Sequence, residues 1–126
     1  MQDVLKKLHF NNGGIVLDAP SPLKAEFQKA GLKTTLGKNA SSVSTLVFVT
    51  NEQEYRAFLR NQLKQIEADS LLWFAYPKGA SKIKTDINRD SLREIGEEFG
   101  ITTVTAVSIN DTWSALRFRP VDRVGK

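Results

Sequence analysis

The sequence predicts an α/β domain in three layers: a mostly parallel sheet with helices on both faces, closed by an antiparallel hairpin. Three observations predict it. Short β-branched apolar runs alternate with segments of helical period over the first hundred residues. Capping residues and glycines mark where those helical segments start and stop. The last two strand-like runs, 101–109 and 112–119, are separated only by Asn110 and Asp111, a pair suited to a tight turn.

Each element follows in order. Val4, Leu5 and Leu8 share one side of a short N-terminal helix over residues 1–9. "GGIVLDA" (13–19) reads as a buried strand, and "PSPLKAEFQKAG" as a helix capped by Ser21, with Pro22 at its first position and Gly31 at its end. "KTTL" (33–36) is expected as a second strand, followed by the polar loop 37–42. "STLVFVT" (44–50) is the third strand. Asn51 and Glu54 at capping-box spacing then open a helix over 52–67, with Tyr55, Phe58, Leu59, Leu63 and Ile66 on one stripe. "SLLWFAY" (70–76) is the fourth strand, its aromatics Trp73, Phe74 and Tyr76 assigned to the core. Ser91 and Glu94 repeat the capping pattern, and Leu92, Ile95 and Phe99 form the last helical stripe before Gly100. The hairpin and a short tail, 120–126, complete a single domain spanning 1–126.

Composition narrows the function classes. A chain of 126 residues with 40% apolar content can bury a core without a metal or disulfide staple. With no cysteine, zinc–thiolate sites, thiol redox chemistry and a cysteine nucleophile are excluded. The one histidine, His9, has no partner pattern around it and is read as a surface residue. No metal site and no cofactor are expected. No apolar run approaches the ~18 residues of a membrane span, and "MQDVLKKLHF" is not a signal peptide; the expectation is a cytoplasmic protein without membrane contact. Net charge is +4, with eight Lys/Arg against five Asp/Glu in residues 1–63 and ten against nine in 64–126. That even spread argues against a nucleic-acid partner.

In an open α/β sheet, ligands bind beyond the carboxyl ends of the parallel strands. The charged loop "PKGASKIKTDINRD" leaves that end of the fourth strand, and the last strand begins there if it runs antiparallel. Two distant blocks thus converge on one rim. The candidate ligand residues are Lys78, Ser81, Lys82, Thr85, Asp86, Asp111, Trp113 and Arg117, and their cations and hydroxyls suit a small anionic ligand. The opposing reading is structural: Thr85 and Asp86 organise a turn, Trp113 is core, and Asp111 and Arg117 brace the loop as an ion pair. No catalytic residue is assigned.

The closing hairpin on a parallel sheet is similar to the end of the Rossmann-like methyltransferase fold, here truncated. That resemblance implies strand order 2-1-3-4-6-5. Methyltransferases of this fold have a glycine-rich turn after the first strand and an acid at the end of the second, which hold S-adenosylmethionine. Here the first turn is "LDAPSPL" and the second strand ends "TTLGKN", so both halves of the signature fail. Asp18 is read as a brace for the helix at Ser21.

"WFAYPKGASKIKTDINRDSLRE" (73–94) and "INDTWSALRF" (109–118), with Pro77, Lys78, Ser81, Thr85 and Asp86 in the first block and Asp111, Thr112, Trp113, Ser114, Arg117 and Phe118 in the second, resemble a bacterial family known as domain of unknown function 3052. The resemblance implies a fold and no activity. The expectation is a non-catalytic binding or interaction module. The alternatives are an enzyme acting on a phosphorylated or carboxylated metabolite, with Lys78 stabilising charge and Asp86 or Asp111 as base, and an oligomerisation module such as a homodimer.

Overall fold

The structure, a computed structural model, describes residues 2–10, 14–35, 42–79, 81 and 83–123. Its elements run α1 (Gln2–Leu8), β1 (Ile15–Leu17), α2 (Ser21–Lys29), β2 (Ser42–Phe48), α3 (Glu52–Asn61), β3 (Ile66–Pro77), α4 (Arg89–Glu98), β4 (Ile101–Ser108) and β5 (Trp113–Pro120). The five strands form one sheet in the order β1-β2-β3-β5-β4.

Strand alternation builds the layers. Val47, Val49, Leu72, Phe74, Leu116 and Phe118 point to one face, where Tyr55, Phe58 and Leu59 of α3 and Leu92 and Ile95 of α4 cover them. Leu46, Phe48, Trp73, Ala75, Trp113 and Ala115 point to the other, under Leu5 and Leu8 of α1 and Phe27 of α2. Both faces are buried, so the central strands read as continuous apolar runs. The aromatics of β3 are core as expected: Trp73 and Phe74 are fully buried, and the Trp73 indole N–H donates to the Leu8 carbonyl at 3.1 Å, tying α1 to the sheet.

The sheet differs from the expected order 2-1-3-4-6-5 in lacking the second strand among the described residues, the other five standing in the expected sequence, and in its balance of parallel and antiparallel pairs. It is mixed: β1–β2 and β2–β3 are parallel, β3–β5 and β5–β4 antiparallel. Five strands replace six, because "KTTL" builds no strand among the described residues. Only Lys33 pairs, through one parallel bridge to Ile15. An exposed edge residue with no sheet neighbour beyond it gains little from further pairing, and residues 36–41 lie outside the described chain. β3 begins at Ile66, so α3 ends at Asn61, earlier than its apolar stripe suggests; a single 3-10 turn, Leu63–Gln65, joins them.

The caps show which local rules won. Asn51 caps α3 as expected, its side chain accepting the Glu54 N–H at 2.8 Å. At α4 the capping box sits one turn earlier than expected: Asn88 accepts the Ser91 N–H, and the Ser91 hydroxyl accepts the Asn88 N–H. α2 has Pro20 at its N-cap and no side-chain cap bond, so neither Ser21 nor Asp18 plays that part. Nor does the β4–β5 turn use positive φ. The Asn110 side chain accepts the N–H groups of Thr112 and Trp113 at 2.9 and 2.8 Å, holding the turn itself. No helix among the described residues is long and apolar enough to cross a membrane.

Candidate functional site

The expected rim forms only in part. Pro77 pairs with Trp113, and the Lys78 N–H donates to the Thr112 carbonyl at 2.8 Å, so the start of the charged loop and the start of β5 do meet. Asp111 is exposed in that turn. Trp113 is core: it is buried and lies edge-on to Phe48 at 5.0 Å. Thr85 and Asp86 go elsewhere. The Asp86 carboxylate accepts the Glu52 N–H at 2.8 Å, and the Thr85 hydroxyl accepts the Ile87 N–H at 3.2 Å. With Ile87 in the core, this half of the loop clamps the start of α3.

Arg117 pairs with Trp73, four residues along β3 from Pro77, or roughly 13 Å from the rim. Its Nε is buried without a partner among the described residues, and it makes no ion pair with Asp111 there. Ser81 stays beside Lys78 through its N–H to the Lys78 carbonyl at 2.9 Å. Lys82 lies outside the described residues. The seven described candidates are therefore split between rim, helix clamp, sheet interior and core.

A better-formed concavity lies two strands away, and topology places it. Ile15 pairs with Thr45 of β2 and also with Lys33, so the chain leaving β1 returns on the side away from β2. Its helix, α2, lies on the face of Phe27 and Trp73; α3, which follows β2, lies on the opposite face. The two excursions diverge, which opens a crevice at the carboxyl ends of β1 and β2. Such reversal points are where open α/β sheets bind ligands. A cavity of about 450 Å³ occupies it, lined by Asp18, by Val47–Thr50 of β2 and its end, and by Glu54, Ala57, Phe58, Asn61 and Gln62 of α3 and its end.

This volume falls within the usual small-molecule range. Val47, Val49 and Phe58 supply apolar wall; Asp18, Thr50, Glu54, Asn61 and Gln62 supply polar groups, with two carboxylates and no cation among the described lining residues. Glu54 is partly committed, one oxygen accepting both the N–H and the hydroxyl of Thr50 at 2.9 Å. Asp18 has φ 62, left-handed backbone that a non-glycine residue adopts at a cost. Held strain of this kind concentrates at functional sites. The sequence carried Asp18 as an acid after a strand, but its crevice depends on which side of β1 residue 33 returns, and no periodicity reports that.

Neither a family model nor a curated protein matches the chain. Solved structures do. TehB from Haemophilus influenzae superposes with a TM-score of 0.52 at 8% identity, over 95% of this chain and 62% of that one. TrmN from Thermus thermophilus superposes with a TM-score of 0.50 at 12% identity, over 94% of this chain and 47% of that one. The chain thus spans about three fifths of the first and half of the second. At these identities the likeness is one of fold: an α/β domain with a methyltransferase-like arrangement.

The cofactor such a fold implies, S-adenosylmethionine, does not fit the residues present. The turn after β1 runs through Asp18, Ala19 and Pro20, with no glycine to let a ligand approach the backbone. Proline at the N-cap and second position of α2 removes two of the N–H donors that would face a ligand carboxylate. The run "TTLGKN", where the ribose-binding acid of that fold would be sought, contains no acid. Nor do the described residues hold any cluster of three His, Asp or Glu for a metal ion.

Proposed function

We propose that this chain is a small-molecule-binding domain that uses the reversal crevice of a methyltransferase-like fold without that fold's cofactor, and that it belongs with the domain of unknown function 3052 proteins. The observation that carries the reading is the cavity at the carboxyl ends of β1 and β2, with left-handed Asp18 at its edge. Its lining favours a neutral or cationic molecule with several hydrogen-bond donors: two carboxylates, two amides and a hydroxyl face a modest apolar wall. The poor fit of the turn to S-adenosylmethionine supports binding without methyl transfer.

A thermal-unfolding screen tests this directly, with amines, polyols, nucleosides and S-adenosylmethionine against a salt control. A ligand at a hundredfold its dissociation constant stabilises by about 2.7 kcal/mol, a shift of roughly 5–15 °C for a domain of this size. The reading requires at least one hit outside S-adenosylmethionine, abolished by Asp18→Asn with the unliganded melting temperature kept. Hits indifferent to Asp18, or a shift from S-adenosylmethionine alone, would overturn it.

A further inference from the structure

On the opposite flank of the same rim, two lysines from distant parts of the chain arrive at one residue. Lys78, leaving β3, donates from Nζ to the Ser108 hydroxyl at 2.7 Å. Lys7, near the end of α1, places its Nζ 3.5 Å from the Ser108 carbonyl oxygen, at the outer limit of a hydrogen bond. Ser108 is the last residue of β4, so α1, β3 and β4 are brought together there. Both ammonium groups contact atoms of one serine, which puts their separation on the order of the physiological Debye length of about 8 Å. At that range a single anion between them would interact with both.

No carboxylate supplies it. Neither lysine is ion-paired to a carboxylate among the described residues; Glu52 and Glu98 are engaged by Arg56. Asp111, in the neighbouring turn, makes no ion pair with either lysine. Beside Lys78, the Ser81 hydroxyl is buried without a partner among the described residues. Two lysines that meet at the end of β4, with an unpartnered hydroxyl beside one of them, match the charge and hydrogen-bonding needs of a dianionic phosphoryl group. We propose that Lys7 and Lys78, converging on Ser108, bind a dianionic phosphoryl group, with Ser81 as an additional donor. The site is independent of the crevice: its cations come from α1 and from the end of β3, none of which lines the cavity.

Phosphorus NMR titration of the whole chain with inorganic phosphate, at constant ionic strength, tests the proposal. A parallel titration with phenyl phosphate distinguishes a free anion from a phosphomonoester. Saturable binding is expected, weakened at least tenfold in Lys78→Ala and in Lys7→Ala, and unchanged in Lys24→Ala and Asp18→Asn. Circular dichroism should show the same fold in all variants, since both lysine side chains are solvent-accessible. A response that never saturates, or that survives in the Lys7→Ala/Lys78→Ala double variant, would overturn it.

Discussion

Gly96 lies inside α4, where alanine would ordinarily raise helix stability by about 1 kcal/mol. Here the packing reverses that sign. A methyl group built at Gly96 would lie 2.9 Å from Cε2 of Phe118, 3.0 Å from the Tyr55 hydroxyl and 3.3 Å from Cγ1 of Ile101. None of these can recede freely. Phe118 is fully buried and held edge-on to Phe74 at 5.3 Å, and the Tyr55 hydroxyl donates to the Leu92 carbonyl at 2.8 Å. Overpacking a core site costs roughly 1–3 kcal/mol. Set against the propensity gain, Gly96→Ala is expected to destabilise by up to about 2 kcal/mol, lowering the melting temperature by up to roughly 10 °C. Urea unfolding with an unchanged m-value would read this cleanly. Tyr55→Phe removes one of the crowding atoms, so the double variant should lose less than the sum of the two single losses. If Gly96→Ala raised the melting temperature, the close approach of α4 to the sheet would be wrong.

Substitutions at three other positions probe the same structure. Asp18→Gly should keep or raise stability, by up to about 1 kcal/mol, because glycine takes left-handed backbone without penalty, whereas Asp18→Val should lower it; a melting series checks both. Asp86→Ala should cost about 1 kcal/mol, as lost helix caps do, and its cost should be the same with or without any ligand. Burial pushes the Tyr55 phenol far above its ordinary value of 10.0, so the folded state holds the neutral form. Its contribution is therefore complete below pH 10 and declines as pH rises beyond that, where the unfolded chain ionises first. Tyr55→Phe should flatten the alkaline fall in stability measured by denaturant titration between pH 9 and 11.

Much of the fold was legible because local signals and tertiary demands agreed. Asn51 capped a helix with a strong apolar stripe, and continuous apolar runs gave β2 and β3, which are buried on both faces. The sequence failed where one residue's pairing decided the topology. "KTTL" has strand composition, yet among its described residues only Lys33 pairs. The candidate site was legible in one respect, the meeting of Lys78 with the start of β5. Asp86 resembled a ligand residue because a carboxylate in a polar loop has the same sequence appearance whether it binds a ligand or a helix N-terminus. Arg117 stands apart from the rim because it lies four residues into β5, a distance that the strand rise itself implies. Thr50 and Asn61 carried no individual signal, and Glu54 only that of a helix cap; they meet at the crevice because α2 and α3 diverge on either side of β1 and β2.

The crevice is tested most directly by mapping bound compounds onto the backbone amides. Titration of amine- and polyol-bearing fragments into isotopically labelled protein should shift the amides of Asp18, Thr50, Glu54 and Asn61 together. Filling the cavity with Ala57→Phe should abolish those shifts while the remaining spectrum is kept. Shifts that cluster on another surface, or that persist undiminished in the filled variant, would contradict the account.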